Sequence, residues 1–100
     1  MKPVVFEHEA EIEFYNSVAF YEERIPGLGA KFDSELQLAV SDIQKDPSWF
    51  GLIQGDQGIR KLVMQGFPFV LYFVDRPEEI WIVAVAHCSR KPGYWSDRPS

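Results

Sequence analysis

The chain has 100 residues, a net charge of −5, 46% hydrophobic and 25% charged side chains. Surface scaling puts the folded chain at roughly 5,800 Å² against about 16,800 Å² extended, so about two-thirds is buried: one core, and a single domain over 1–100. Fifteen aromatics, 7 Gly and 7 Pro exclude a disordered acidic segment.

A lone cysteine, Cys88, excludes an internal disulfide. Met1 to Phe14 carries charges where a signal peptide needs an apolar stretch, and no apolar run reaches the roughly 18 residues of a membrane helix. A cytoplasmic protein away from membranes is expected. Charge is uneven: residues 1–50 hold 4 basic and 10 acidic side chains, residues 51–100 hold 6 and 5. General electrostatic binding of nucleic acid is disfavoured, and any anion-facing site belongs in the second half.

Pro3 to Phe6 is short and β-prone, which predicts an edge or second-edge strand. From Glu9 the period changes: Ala10, Phe14, Val18, Tyr21 and Ile25 form one helical face that Pro26-Gly27 ends. Glu9, Glu11 and Glu13 favour the helix start and read as its solvated face. Leu28, Phe32, Leu36, Val40 and Ile43, with Ala39 beside them, form a second stripe closed by Asp46-Pro47. The short connection makes an antiparallel helical hairpin. Ser48 to Gly58 reads as a loop. Ile59–Met64, Phe67–Val74 and Ile80–Cys88 are strands joined by short turns, an antiparallel meander. The near-continuous apolar run of the last predicts a central or doubly covered strand. The expected fold is α+β, in the order β-α-α-β-β-β, with the hairpin packed on an antiparallel sheet.

Two places carry chemistry. Arg60 and Lys61 open the first meander strand on opposite faces; Arg60 is either a surface ion-pair partner or a guanidinium presented from the sheet. The stretch from His87 through Cys88, Ser89, Arg90, Lys91, Pro92 and Gly93 to Tyr94 and Trp95 gathers an imidazole, two cations and two aromatics. It suits acid/base work with phosphate stabilisation, or stacking on a base. Its plainer reading, which composition favours, is a tail with Tyr94 and Trp95 packed over the sheet and Arg90 paired to an acid. Cys88 reads as a small core residue. With His8 and His87 the only histidines, and Gly51, Gly55 and Gly58 too widely spaced for a phosphate loop, no metal or cofactor is expected.

Two stretches together resemble the RelE/ParE toxin superfamily, and more closely its ParE-like plasmid-stabilisation branch. The first runs from Ala19 through Tyr21 and the Ile25-Pro26-Gly27-Leu28-Gly29 turn to Phe32. The second runs from Gly58-Ile59-Arg60, through Phe67-Pro68-Phe69-Val70-Leu71-Tyr72, to the closing Ala86-His87 and Arg90-Lys91-Pro92-Gly93-Tyr94-Trp95. The resemblance covers nearly the whole chain in order. It implies the toxin of a type II toxin–antitoxin pair, held inactive by a small antitoxin protein. That partner would be a disordered segment folding along the helical hairpin and the sheet edge, with a basic stretch facing the acidic first helix.

Mechanisms diverge within the superfamily. RelE-like members are ribosome-dependent mRNA endonucleases, and ParE-like members poison DNA gyrase by protein contact. By position, Arg60 and Arg90 match arginines that stabilise phosphate in the nucleases, while His87 and Tyr94 match places for an acid or base. Catalytic roles for these four hold only in a nuclease. The ribosome-directed enzymes are strongly basic, whereas this chain is acidic and has no lysine from Trp49 to Gly58. Gyrase is therefore the expected target, and the chain is more an interaction protein than an enzyme. RNA cleavage and a non-toxic, partner-binding member are the alternatives.

Overall fold

Pro3 and Glu7 bracket strand β1 (Val4–Phe6), and helix α1 (His8–Arg24) follows without a loop. The computed structural model describes residues 1–53 and 58–98. Glu7 caps α1 with its own carboxylate, which accepts from the Glu9 and Ala10 amides at 2.8 and 3.3 Å. The expected apolar face is present, with Ala10 buried and Phe14, Val18 and Tyr21 packed against the core, except at Ile25, which lies past the helix end and is exposed.

Helix α2 (Leu28–Lys45) begins after Gly27, whose φ of +90° makes the turn. Gly27 has no side chain to cap the helix, and Glu22 of α1 supplies one instead. Its carboxylate accepts from the Gly27 amide at 3.0 Å and the Gly29 amide at 3.0 Å. Gly29 is needed for a different reason. A Cβ there would lie 2.6 Å from the Val18 carbonyl oxygen and 2.9 Å from the Glu22 Cβ. The absent side chain lets the two helices close. Phe32, Leu36, Ala39, Val40 and Ile43 are then all buried, as the sequence stripe predicts. A 3₁₀ turn at Pro47–Trp49 opens the loop that follows; its residues 54–57 lie outside the described residues.

Strands β2 (Ile59–Val63), β3 (Phe69–Asp75) and β4 (Ile80–His87) form the expected antiparallel meander. The sheet order is β1-β4-β3-β2, so β4 is central as its apolar run predicts. One direction differs from expectation: β1 pairs with β4 in parallel, and the sheet is mixed rather than wholly antiparallel. The long excursion through the hairpin, β2 and β3 supplies the crossover that a parallel pair needs. That direction delivers the chain from Phe6 to the level of Ile82, where the Glu7 amide bonds the Ile82 carbonyl at 2.9 Å.

β4 also carries a bulge. Tyr72 faces Ala84 while Phe73 faces Ile82, which leaves Val83 as the extra residue. Ile80, Ile82 and Val85 therefore join the core beneath the helices. Trp81, Val83 and Ala84 join a second cluster on the opposite face, covered by Trp95 and Tyr94 of the C-terminal tail. Cys88 departs from its expected core position. β4 ends at His87, and Cys88 lies exposed in the turn that follows.

Replacing Gly29→Ala forces the crowded Val18 carbonyl and Glu22 to move, and is expected to cost about 1–3 kcal/mol of stability. Urea unfolding of the two chains gives the difference directly.

Candidate functional site

The outer edge of β4 past β1 is closed by side chains. α1 continues along it where β1 stops, and Glu13 Oε1 accepts from the Val85 amide at 3.0 Å. From the tail, Arg98 Nη1 donates to the carbonyl of the bulged Val83 at 3.0 Å. Arg98 then grips Glu13 in bidentate fashion, at 2.9 and 2.8 Å, with Glu7 4.0 Å from its Nε. The Tyr94 hydroxyl donates to Glu13 Oε2 at 2.5 Å.

These contacts fix the protonation states. Burial works to raise the Glu13 carboxyl, but the bonds from Arg98, Tyr94 and the Val85 amide outweigh it and hold it below its ordinary value. Burial and the Glu13 bond push the Tyr94 hydroxyl far up. Tyr94 thus stays a protonated donor at neutral pH. Its ring also carries the Arg90 guanidinium 3.9 Å from the centroid. Arg90 therefore stacks on Tyr94 rather than finding the acid partner that the plain reading of the tail supplies. Glu13 is likewise not on a solvated face.

His87 lies one turn further along the same α1–β4 seam. It lines a 310 Å³ groove with Asn16, Ser17, Phe20, Tyr21 and Phe69. Its ring meets Phe69 edge-on at 5.2 Å. The Ser89 amide donates to Nδ1 at 3.0 Å and the Ser89 hydroxyl lies 2.8 Å from it, which assigns the ring proton to Nε2. His87, Arg90 and Tyr94 thus share one end of the molecule.

Arg60 does not join them. The register sets it against Phe73 and thence Ile82, whereas His87 faces Phe69. Strand geometry puts the two on the order of 15 Å apart along the sheet and about 10 Å across it. Arg60 lies on the helix side with Leu62, and its Nη1 donates to the Phe50 carbonyl at 2.6 Å and the Ser48 carbonyl at 3.5 Å. It ties down the loop before β2. Lys61 is exposed on the other face. Among the described residues no group of three or more His, Cys, Asp or Glu side chains could hold a metal ion, and no helix is long and apolar enough to cross a membrane.

Sequence reasoning missed Glu13 and Arg98, the two residues that organise this end. Glu13 follows buried Ala10 by three positions, at the margin of the apolar stripe, and that is its one signal. Arg98 has none: its role depends on a bulge and on a strand that stops early.

No protein-family model matches the chain, and no curated protein matches its sequence. Among solved structures, a chain of the chromosomal ParDE TA system from P. aeruginosa superposes with a TM-score of 0.75. The match covers 87% of this chain and 96% of that one, at 20% sequence identity. This chain has that fold. The architecture expected from the RelE/ParE resemblance is therefore the one found, down to the strand–hairpin–meander order.

Arg98 and Glu13 side chains are 11% and 16% exposed, so their pair is nearly but not fully desolvated. Arg98→Ala is expected to cost about 2–3 kcal/mol, below the 3–5 kcal/mol of a fully buried pair, in chemical unfolding. Because the folded-state pKa of Glu13 is depressed from 4.5, its contribution is present above that pH and is lost as pH falls through the folded value. Melting temperature against pH should drop in acid for the parent chain. Glu13→Gln should start lower at neutral pH and show a shallower acid drop.

Proposed function

We propose that the chain is the toxin of a type II toxin–antitoxin pair, acting as a single cytoplasmic domain. A small antitoxin neutralises it, and its target is DNA gyrase, reached by protein contact. The observation that carries this reading is the fold shared with the ParDE TA chain over 87% of the length. The toxin-like sequence resemblance, which covers nearly the whole chain in order, supports the same reading. A plasmid-stabilisation role follows from the same resemblance.

The geometry of the motif residues favours contact over catalysis. Tyr94 is committed to Glu13 and Arg60 to two loop carbonyls. The net charge of −5 disfavours a ribosome-bound RNA substrate. The antitoxin is expected to supply an amphipathic segment for the helical hairpin and sheet edge, with basic residues toward the acidic first half.

One observation favours the second reading, mRNA endonuclease activity. His87, Ser89, Arg90 and Lys91 are exposed together beside a groove, so proton transfer and phosphate contact can share that end. In that reading His87 and Arg90 act there, Tyr94 holds Arg90, and Arg60 takes no part, since it is bound to the loop carbonyls. A non-toxic member that only binds a partner is the third.

Inducible expression without antitoxin separates them. Growth arrest with filamentation and a DNA damage response is the expected result. Arrest with cleaved mRNA and rapid loss of translation would instead establish the nuclease, and unimpaired growth would establish the non-toxic binder.

A further inference from the structure

Trp49 is 79% exposed, the most exposed aromatic side chain described, and Leu52 beside it is 60% exposed. The backbone that presents them is fixed. Arg60 holds the Ser48 and Phe50 carbonyls. The Lys61 amide bonds the Gly51 carbonyl at 3.3 Å, and the Ile53 amide bonds the Ile59 carbonyl at 2.8 Å. Phe50 turns inward against Phe73, with ring centroids 5.8 Å apart, while Trp49 turns out. An indole held out on a fixed loop loses little conformational entropy on docking, and tryptophan is among the commonest anchors of protein interfaces.

The surroundings select the partner's chemistry. Between α2 and the outer edge of β2 runs a groove lined by Glu35, Leu38, Asp42, Phe50 and Val63 among others, with two acids and no cation among its lining residues. Around Trp49 itself the charge is mixed: Asp46 and Lys45 are exposed beside it, and the Arg60 guanidinium lies against the Ser48 and Phe50 carbonyls. The two acids of the groove suit a protein with basic side chains. Shape narrows it further. A disordered segment can fill a groove but offers no pocket to a projecting ring, whereas a folded partner can.

We propose that Trp49 is the anchor by which the chain docks on its folded protein target. Its indole enters an apolar pocket, and basic side chains elsewhere on the same partner lie along the groove, facing Asp42 and Glu35. Arg60 is a positioning residue for that loop. The proposal rests on the reading that the chain acts by protein contact.

The test uses the full-length chain with purified DNA gyrase holoenzyme as the probe, reading affinity and inhibition of supercoiling. Trp49→Ala is expected to weaken binding about 30-fold or more, with inhibition falling in parallel. Trp49→Phe should recover most of the affinity, and Tyr15→Ala, an exposed aromatic on α1, should change it less than about threefold. Melting temperatures should stay within about 2 °C, since these rings are largely outside the core. If the parent chain binds gyrase and Trp49→Ala binds equally, the anchor is wrong and the gyrase reading stands. If the parent chain neither binds nor inhibits gyrase, the gyrase reading fails and the anchor with it.

Discussion

β1 has three residues and β4 has eight, so five residues of the central strand have no strand neighbour on their outer side. An open strand edge invites association with other chains and leaves polar groups unpaired. Here two charged side chains close it: Glu13 takes the Val85 amide and Arg98 takes the Val83 carbonyl. Each then serves as the other's counter-ion. Much else depends on that exchange. α1 is held along the edge, the tail is drawn across the back of the sheet, and Trp95 is buried against Tyr72 at 4.8 Å between ring centroids. The Trp95 indole nitrogen has no hydrogen-bond partner among the described residues, so apolar burial rather than polar pairing seats the ring.

This arrangement explains why Tyr94, which looks catalytic in sequence, is occupied with structure. A tyrosine with a raised pKa, an arginine stacked on it and a carboxylate beneath resemble the parts of an acid/base site. Structural ion-pair networks produce the same signs, and in this chain the carboxylate and its Arg98 partner each also close a backbone gap. What stays exposed is of a different kind: acidic helix surface, the Trp49 loop, and the turn from His87 to Lys91.

The elements were legible because their causes are local. The helix stripes, the Pro26-Gly27 turn, the Asp46-Pro47 stop and the apolar run of β4 each act over a few residues. The direction of β1 was not legible, because a three-residue strand with a long return can pair either way. Nor was Cys88: one bulge and the end of β4 decide whether it falls inside, and both are set by neighbours distant in sequence. Within the site, His87, Arg90 and Tyr94 lie close in sequence and are brought to one end. Arg60 was separated from them by strand register, which sequence alone does not fix. Glu13 and Arg98 are 85 positions apart, and only the finished fold makes them a pair.

Amide hydrogen exchange at Val85 tests this closure most directly. If the Glu13 carboxylate caps the open edge, the Val85 amide should exchange nearly as slowly as the amides of β3. In Glu13→Ala it should exchange much faster, while β3 stays protected. Rapid exchange at Val85 in the parent chain would mean that the edge is open and that the Glu13–Arg98 pair does not hold the tail.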